Sequence, residues 1–180
     1  MTDRLIVTGF AGSLRKGSYS KVLLDECARL LPDGSDFATV DIGAIPHYDE
    51  DLDHADAPTA VRAARERVAA SDVLIVVTPE FNHGIPGVLK NAFDWLSRPA
   101  FRSPMAGKPV LFATHSPGAL GGVRTQYQLR ETFASMLCRL IPLPEIAVTH
   151  IGAKVSEGRV CDEETLAFLD AQVKRFLAAL

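Results

Sequence analysis

The sequence is poor in cysteine, carries little net charge and lacks a long apolar run. Its three cysteines, Cys27, Cys138 and Cys161, are far apart and form no C-x-x-C pair, so we expect free, buried thiols in a reducing cytoplasm and no disulfide framework. A formal net charge of −3 argues against a nucleic-acid partner, which requires a clustered excess of lysine and arginine. Because no apolar run approaches about 18 residues and the first residues do not resemble a secretory leader, no membrane partner is expected.

Strand-like and helix-like segments alternate along the 180 residues, and we expect one domain over residues 1–180. Strands are predicted at 4–10, 37–42, 72–78, 108–114 and 145–151. Helices are predicted at 19–31, 58–70, 86–96, 123–137 and 163–180. Five strands interleaved with five helices are typical of a doubly wound α/β fold, in which helices cover both faces of a parallel sheet. The size of the chain favours the strand order 2-1-3-4-5.

Three unusual loops follow the first, third and fourth predicted strands. Their sequences are AGSLRKGSYS, PEFNHGIPG and HSPGALGG. In doubly wound sheets, ligands bind beyond the carboxyl ends of the strands, at the point where the strand order reverses. We therefore expect the three loops to meet at one edge of the sheet and to form the functional site.

The first of these loops is suited to an anion. It leads into a helix, whose N-terminus combines unpaired N–H groups with the positive end of the helix dipole. Ser13, Ser18 and Ser20 add hydroxyl donors, and Arg15 adds a planar guanidinium that matches a phosphate. A glycine- and serine-rich turn in which Ser18 or Ser20 caps the helix explains the same residues without a ligand.

Glycine spacing distinguishes the kinds of phosphate loop. Gly12 and Gly17 have the Walker A spacing, but Ser18 and Tyr19 occupy the positions where that motif needs lysine and a magnesium-binding hydroxyl. Together with Gly9, these glycines also lack the G-x-G-x-x-G spacing of a dinucleotide loop. A monophosphate such as that of flavin mononucleotide (FMN) is therefore the favoured ligand.

The second loop has the features that a flat tricyclic ring needs. Pro79, Phe81 and Gly84 allow close approach to one face of such a ring. The peptide N–H groups near Asn82 can donate to its polar edge. The loop therefore favours a flavin ring next to the phosphate site.

Two titratable side chains of the second loop have other candidate roles. Glu80 is a candidate catalytic base, although hydride transfer at a flavin needs none. His83 lies in solvent or beside the ring, and no second ligand stands at metal-binding spacing from it. We therefore assign no catalytic residue and no metal site.

The third loop approaches the Gly-x-Ser-x-Gly nucleophile elbow of α/β hydrolases. Thr114 replaces the first glycine, however, and Pro117 after Ser116 lacks the N–H that forms half of the oxyanion hole. Hydrolase chemistry is therefore disfavoured. The glycines instead suit a flexible loop near a flavin, with Arg124 available for a nucleotide phosphate.

These motifs resemble those of the NADPH-dependent FMN reductases, over nearly the full chain. The resemblance is carried by Gly-Ser-x-Arg-x-x-Ser after the first strand, PEFNHGIPGVLKNAFDW after the third and SPGALGGVR after the fourth. It implies a flavodoxin-like fold, an FMN cofactor and NADPH or NADH as co-substrate. It also implies a homodimer or homotetramer that reduces quinones, flavins, azo compounds or metal oxyanions such as chromate.

The resemblance further implies which residues bind the cofactor. They are Ser13, Arg15, Gly17, Ser18, Tyr19, Ser20, Pro79, Glu80, Phe81, Asn82, His83, Gly84 and Ser116. The serines and Arg15 of the first loop would bind the phosphate, the second loop would line the isoalloxazine ring, and Ser116 would close the third side. Two positions depart from the family pattern, since Ser20 stands where asparagine is usual and Phe81 where tyrosine is usual.

Two alternatives stay open at this point. Phe93, Trp95 and Leu96 are explained either by a subunit interface or by core packing. A flavodoxin-type electron carrier would share the fold, but such carriers tend to be strongly acidic and to shield the ring with aromatic residues. This chain has a net charge of −3 and 7% aromatic residues, which favours an FMN-dependent NAD(P)H oxidoreductase.

Overall fold

A parallel sheet of six strands organises the computed structural model, which describes residues 4–180. Its strands are β1 (Ile6–Ala11), β2 (Asp36–Thr39), β3 (Val73–Pro79), β4 (Pro109–His115), β5 (Arg139–Leu140) and β6 (Ile146–Val148). The helices are α1 (Tyr19–Arg29), α2 (Thr59–Ala70), α3 (Gly87–Leu96), α4 (Val123–Ser135), α5 (Ile151–Lys154) and α6 (Glu163–Ala178). A separate hairpin consists of β7 (Val155–Ser156) and β8 (Arg159–Val160), and a short 3-10 turn spans Glu50–Leu52.

The strand order is β2-β1-β3-β4-β5, with β6 also beside β4, which confirms the predicted order 2-1-3-4-5. The difference lies at the fifth position, which two short strands share. β5 pairs with the first residues of β4, and β6 pairs with its last residues. Pro142 and Pro144 lie between β5 and β6 and have no N–H to donate to a ladder. The predicted fifth strand at 145–151 is therefore too long, since α5 already begins at Ile151.

Both faces of the sheet are covered by helices. In β3, Leu74 and Val76 pack into the cluster formed with α2, α3 and α4. Val73, Ile75 and Val77 face the other way and pack with α1 and α6. This arrangement is the doubly wound fold that the alternation predicts, and it agrees with the flavodoxin-like fold that the family resemblance implies. The other predicted elements are found with ends shifted by up to three residues.

Phe93, Trp95 and Leu96 lie in the core. Each is at most 1% exposed. The Trp95 indole nitrogen donates to the Pro46 carbonyl at 2.8 Å, and the Phe93 ring meets Phe133 at a centroid distance of 5.3 Å. These residues therefore serve packing, and the alternative that they form a subunit interface is wrong.

The three cysteines differ in exposure. Cys27 is buried, Cys138 is half-buried and Cys161 is exposed, so the expectation of buried thiols holds fully only for Cys27. Burial raises the pKa of the Cys27 and Cys138 thiols to about 12, which keeps both protonated at neutral pH.

Within residues 4–180, no helix is both long and apolar enough to cross a bilayer.

Glu26 on α1 binds the β7–β8 hairpin to that helix. Its carboxylate accepts hydrogen bonds from Arg159 Nε at 2.6 Å and from the Val160 amide at 3.3 Å. Burial acts to raise the pKa of Glu26, but these donors outweigh it and hold the pKa below its ordinary value. The charged carboxylate therefore stabilises the fold.

We expect Glu26→Ala to lower the free energy of unfolding by about 1–3 kcal/mol at pH 7, because the buried amide of Val160 loses its acceptor. Since folding lowers the carboxyl pKa, this contribution is present above the ordinary value near 4.5 and is lost as the pH falls through the lower folded value. Urea denaturation at pH 7 and pH 3 measures both effects. Glu131→Ala, which removes an exposed carboxylate from α4, is the control. Equal stability of Glu26→Ala and wild type at pH 7 would contradict this role.

Candidate functional site

The carboxyl ends of β1, β3 and β4 lie side by side at one edge of the sheet. Ala11 pairs with Val77, and Pro79 pairs with His115. The Gly12 amide extends this pairing by donating to the Val77 carbonyl at 2.8 Å. After these strands, residues 12–18 of the first loop, 80–86 of the second and 116–122 of the third lie outside strands and α-helices. They begin next to one another, as the strand order predicts.

The first loop presents a cation at the N-terminus of α1. Arg15 and Gly17 are exposed, and the Arg15 guanidinium lies 5.3 Å from the centre of the Tyr19 ring. The Ser18 hydroxyl accepts from the Ser20 amide at 3.1 Å and caps the helix. Ser18 therefore has the capping role, and the exposed guanidinium beside a helix N-terminus suits an anion.

Ser20 and His115 form a buried pair at the start of α1. The Ser20 hydroxyl lies 2.8 Å from Nε2 of His115, and the two residues are 0% and 5% exposed. Burial, and then the positive charge of Arg15, lower the pKa of His115 to about 4, so the imidazole is neutral at pH 7. The Ser20 hydroxyl is thus engaged within the protein. His115 was not identified from the sequence, where its only signal is a histidine at the end of a buried strand.

The second loop contains a tight turn with Asn82 and His83 at its centre. Phe81 and Gly84 exchange two backbone hydrogen bonds of 3.0 Å, and φ is 49° at Asn82 and 65° at His83. Positive φ at both central residues is the geometry of a type I′ turn, in which asparagine is favoured. The amides of Asn82 and His83 lie outside this pairing, and both residues are exposed. The turn therefore presents N–H groups where the sequence analysis expects donors.

Gln128 on α4 holds the second loop in place. Its Oε1 accepts from the Ile85 amide at 2.5 Å, and a Cβ at position 84 would lie 2.5 Å from the same oxygen. The glycine at that position therefore leaves room for the bond. Gln128 was not identified from the sequence, because the contact joins elements that are distant along the chain.

Glu80 caps helix α4 from the second loop. Its Oε2 accepts from the amides of Arg124 at 3.0 Å and Thr125 at 3.2 Å, and the Arg124 guanidinium lies 3.8 Å from Oε1. A carboxylate at a helix N-terminus satisfies unpaired amides and is favoured by the helix dipole. Both Glu80 oxygens thus have structural partners, and Arg124, expected to be available for a nucleotide phosphate, is paired with Glu80.

The third loop is held against β6. The Ser116 amide donates to the Val148 carbonyl at 3.1 Å, and the Ser116 hydroxyl donates to the Gly118 carbonyl at 3.1 Å. Gly121 has a φ of 60°, and a Cβ there would lie 2.7 Å from the Ala147 backbone. These contacts fix both ends of the loop and leave Ser116 half-buried at the sheet edge.

The structure brings the residues predicted to bind a cofactor together at this edge, with different exposure. Those with accessible surface are Ser13, Arg15, Gly17, Tyr19, Pro79, Glu80, Phe81, Asn82, His83, Gly84 and Ser116. Ser18 and Ser20 are buried, and both hydroxyls take part in internal hydrogen bonds. The exposed members therefore define the surface that a ligand can reach.

Each loop also exposes a large apolar side chain. Leu14, Phe81 and Leu120 are 56%, 61% and 57% exposed. Ser13, next to Leu14, borders a cavity of about 400 Å³ that extends to Thr39 of β2 and does not include β3 or β4.

The three parts of FMN each have a counterpart at this edge. Its flat ring matches the apolar side chains, and the polar edge of the ring matches the turn amides. Its anionic phosphate matches the guanidinium at a helix N-terminus. The residues present therefore fit this cofactor.

Known proteins resemble this chain over nearly its full length. The sequence model of the NADPH-dependent FMN reductase family matches residues 6–153. An NAD(P)H-dependent FMN reductase of Pseudomonas aeruginosa is 38% identical, with 97% of this chain and 94% of that protein covered. A quinone reductase of Escherichia coli K12 is also 38% identical, with 98% of this chain and 95% of that protein covered.

A solved structure agrees with the sequence comparisons. FerB, a flavoenzyme NAD(P)H:(acceptor) oxidoreductase from Paracoccus denitrificans, superimposes with a TM-score of 0.86 at 35% identity, over 96% of this chain and 94% of that one. Fold, site chemistry and sequence thus point the same way. The chain belongs to the NADPH-dependent FMN reductase family.

Proposed function

We propose that this chain transfers reducing equivalents from NADPH or NADH, through FMN, to a quinone. Its family makes it an NAD(P)H-dependent FMN oxidoreductase with a small-molecule acceptor. The observation that carries the quinone assignment is the exposed apolar surface of Leu14, Phe81 and Leu120 around the site, which suits a flat, uncharged acceptor. Relatives named as quinone reductases support the same class of acceptor. Free flavins, azo compounds and chromate are the acceptors to compare with it.

This chain contributes binding and orientation to the reaction. When bound, FMN would supply the hydride and electron transfer chemistry that links the nicotinamide to the acceptor. Arg15 and the N-terminus of α1 would hold the phosphate, and the amides of Asn82 and His83 would donate to the polar edge of the ring. Phe81 and Leu120, both exposed at the site, would offer apolar contacts to the ring. No side chain is needed as a discrete acid or base.

We further propose that residues 1–180 form one domain of a cytoplasmic homodimer or homotetramer. The single main sheet, covered on both faces, supports the first part. The oligomer is what the family resemblance implies, and the exposed Tyr127 on α4 offers an aromatic side chain outside the three loops for a subunit contact. Free cysteines accord with a reducing compartment. Size-exclusion chromatography with light scattering tests the oligomeric state.

Steady-state oxidation of NADPH and NADH by the FMN-loaded protein tests the proposed function. With a benzoquinone acceptor we expect sustained turnover, at a higher rate than with an azo dye or chromate. A flavodoxin-type electron carrier would instead show no sustained oxidation of nicotinamide. If no quinone supports oxidation of either NADPH or NADH, the proposal is overturned.

We expect ping-pong kinetics, because the three loops form one site at one sheet edge. Nicotinamide and quinone both need to approach the same reactive ring atom to about 3–3.5 Å, and two planar rings cannot stack on one face together. Double-reciprocal plots of rate against NADPH at several quinone concentrations should therefore be parallel. Excess quinone should inhibit competitively with the nicotinamide. Converging lines together with a trapped ternary complex would indicate a separate nicotinamide site.

Two Glu80 variants separate a structural role from a catalytic one. We expect Glu80→Gln to keep turnover close to wild type, because its carbonyl still accepts from the α4 amides, whereas loss of a general base costs about 100- to 10,000-fold. Glu80→Ala should lower the free energy of unfolding by about 1–2 kcal/mol, since a helix cap is lost. Turnover and urea denaturation of both variants provide the measurements. A Glu80→Gln protein that is stable but a hundredfold slower would make Glu80 a catalytic base.

A further inference from the structure

A buried histidine joins the end of β4 to the first turn of α1. His115 is 5% exposed, and its Nε2 lies 2.8 Å from the hydroxyl of Ser20. Its other ring nitrogen, Nδ1, is buried and has no hydrogen-bond partner within residues 4–180. A neutral imidazole has one donor and one acceptor, so the described part of the chain satisfies only half of this ring. A buried polar atom in this state calls for an explanation.

His115 also supports the exposed cation of the first loop. The Tyr19 ring meets the imidazole edge-on, with ring centres 6.2 Å apart and planes at 88°. The Arg15 guanidinium lies 5.3 Å from the centre of the same Tyr19 ring. The Tyr19 ring therefore connects His115, at the buried end of β4, with the Arg15 guanidinium at the surface. Such support reduces the freedom that a long side chain would otherwise lose on binding a ligand.

The imidazole is uncharged in this position. Burial and the neighbouring charge of Arg15 lower the pKa of His115 to about 4. A neutral ring neither repels Arg15 nor pairs with it, so the guanidinium stays free to meet an anion. The arrangement thus places an uncharged support behind a charged binding group.

We propose that His115 is a positioning residue for the phosphate end of FMN. Its bond to Ser20 fixes the first turn of α1, where unpaired amides favour an anion, and its contact with Tyr19 holds Arg15 near the same turn. The inference rests on the proposed placement of the phosphate at the first loop. Riboflavin has the ring of FMN without the phosphate. His115 should therefore affect the binding of FMN and leave the binding of riboflavin unchanged.

Titration of the full-length, flavin-free protein with FMN and with riboflavin tests this inference, with flavin fluorescence as the readout. His115→Phe keeps a ring beside Tyr19 but loses the bond to Ser20, and Ser20→Ala loses the same bond from the other side. Each variant should raise the FMN dissociation constant by about 3- to 10-fold, as expected for one hydrogen bond, and leave the riboflavin constant within about twofold. The double variant should bind FMN no more weakly than either single variant, because both remove one bond.

A conservative variant and a matched control complete the test. A glutamine amide can still bond to the Ser20 hydroxyl, so His115→Gln should bind FMN within about twofold of wild type. Val173 is buried on α6, and Val173→Ala loosens packing there without touching the pair. This control should leave the ratio of the FMN and riboflavin dissociation constants unchanged.

Three results would overturn the inference, and they separate it from the proposed function. Equal weakening of FMN and riboflavin in His115→Phe would indicate general loosening of the fold. If His115→Phe and Ser20→Ala both keep the wild-type ratio of the FMN and riboflavin dissociation constants, His115 does not position the phosphate end. The proposed function would then be unaffected. If the wild type binds FMN and riboflavin with equal affinity, the phosphate does not bind at the first loop. The assignment of the site would then fail as well.

Discussion

Arg15→Ala is expected to raise the dissociation constant of FMN by about 10- to 150-fold, which corresponds to about 1.5–3 kcal/mol for a charge-assisted hydrogen bond. Arg15 is exposed at the N-terminus of α1, and its guanidinium lies over the Tyr19 ring, 5.3 Å from the ring centre. A planar group held in this way offers parallel N–H donors to a phosphate. The amides of the helix N-terminus attract the same anion, so the variant should bind FMN weakly and not lose it altogether.

Lys16 in the same loop is a matched control for Arg15. It is also an exposed cation, so Lys16→Ala changes the net charge equally but removes no stacked guanidinium. Its effect should be small and should shrink as salt is raised. Arg15→Lys keeps the charge but loses the planar fork, and should recover only part of the affinity. FMN titrations at two ionic strengths distinguish these variants. An Arg15→Ala constant within about twofold of wild type would contradict the assignment.

The sheet could be predicted because its central strands are recognisable without their partners. Every residue of β3 except the last is buried, and a continuous apolar run of that length indicates a strand covered on both faces. β5 and the strands of the β7–β8 hairpin have two residues each, which is too short to show a period. The hairpin depends on Glu26 of α1 for its position, and that contact joins segments far apart in the sequence.

The loops of the site could be predicted, whereas their internal supports could not. Arg15 and the turn at Asn82 have the residue types that phosphate binding and a type I′ turn require. His115 and Gln128 belong to no motif, since each acts through a tertiary contact, with Ser20 at 2.8 Å and with the Ile85 amide at 2.5 Å. Residue type alone suggests that Ser20 donates to a ligand, and only the fold identifies a buried histidine as its partner.

Gly12, directly after β1, packs tightly against Thr78 near the end of β3. A Cβ at this position would lie 2.1 Å from Thr78 Oγ1 and 2.5 Å from Thr78 Cβ. Thr78 has no exposed surface, and the Gly12 amide is bonded to the Val77 carbonyl at 2.8 Å, so neither side can retreat without breaking the strand pairing. Overpacking of this kind costs about 1–3 kcal/mol, and more where the backbone has to move.

Gly12→Ala should therefore lower the Tm of the protein by about 2–12 °C, at about 2–4 °C per kcal/mol for a chain of this size. Gly17→Ala in the same loop is the control, because its Cβ would meet only Arg15 Nη1, at 3.4 Å, and its Tm should stay within about 1 °C of wild type. Displacement of the β1 end also disturbs the start of the first loop, so saturating FMN should raise the Tm of Gly12→Ala less than that of wild type. Equal Tm values for Gly12→Ala and Gly17→Ala would mean that the ends of β1 and β3 move apart at little cost in free energy. The contact between Gly12 and Thr78 would then not hold the first loop in place.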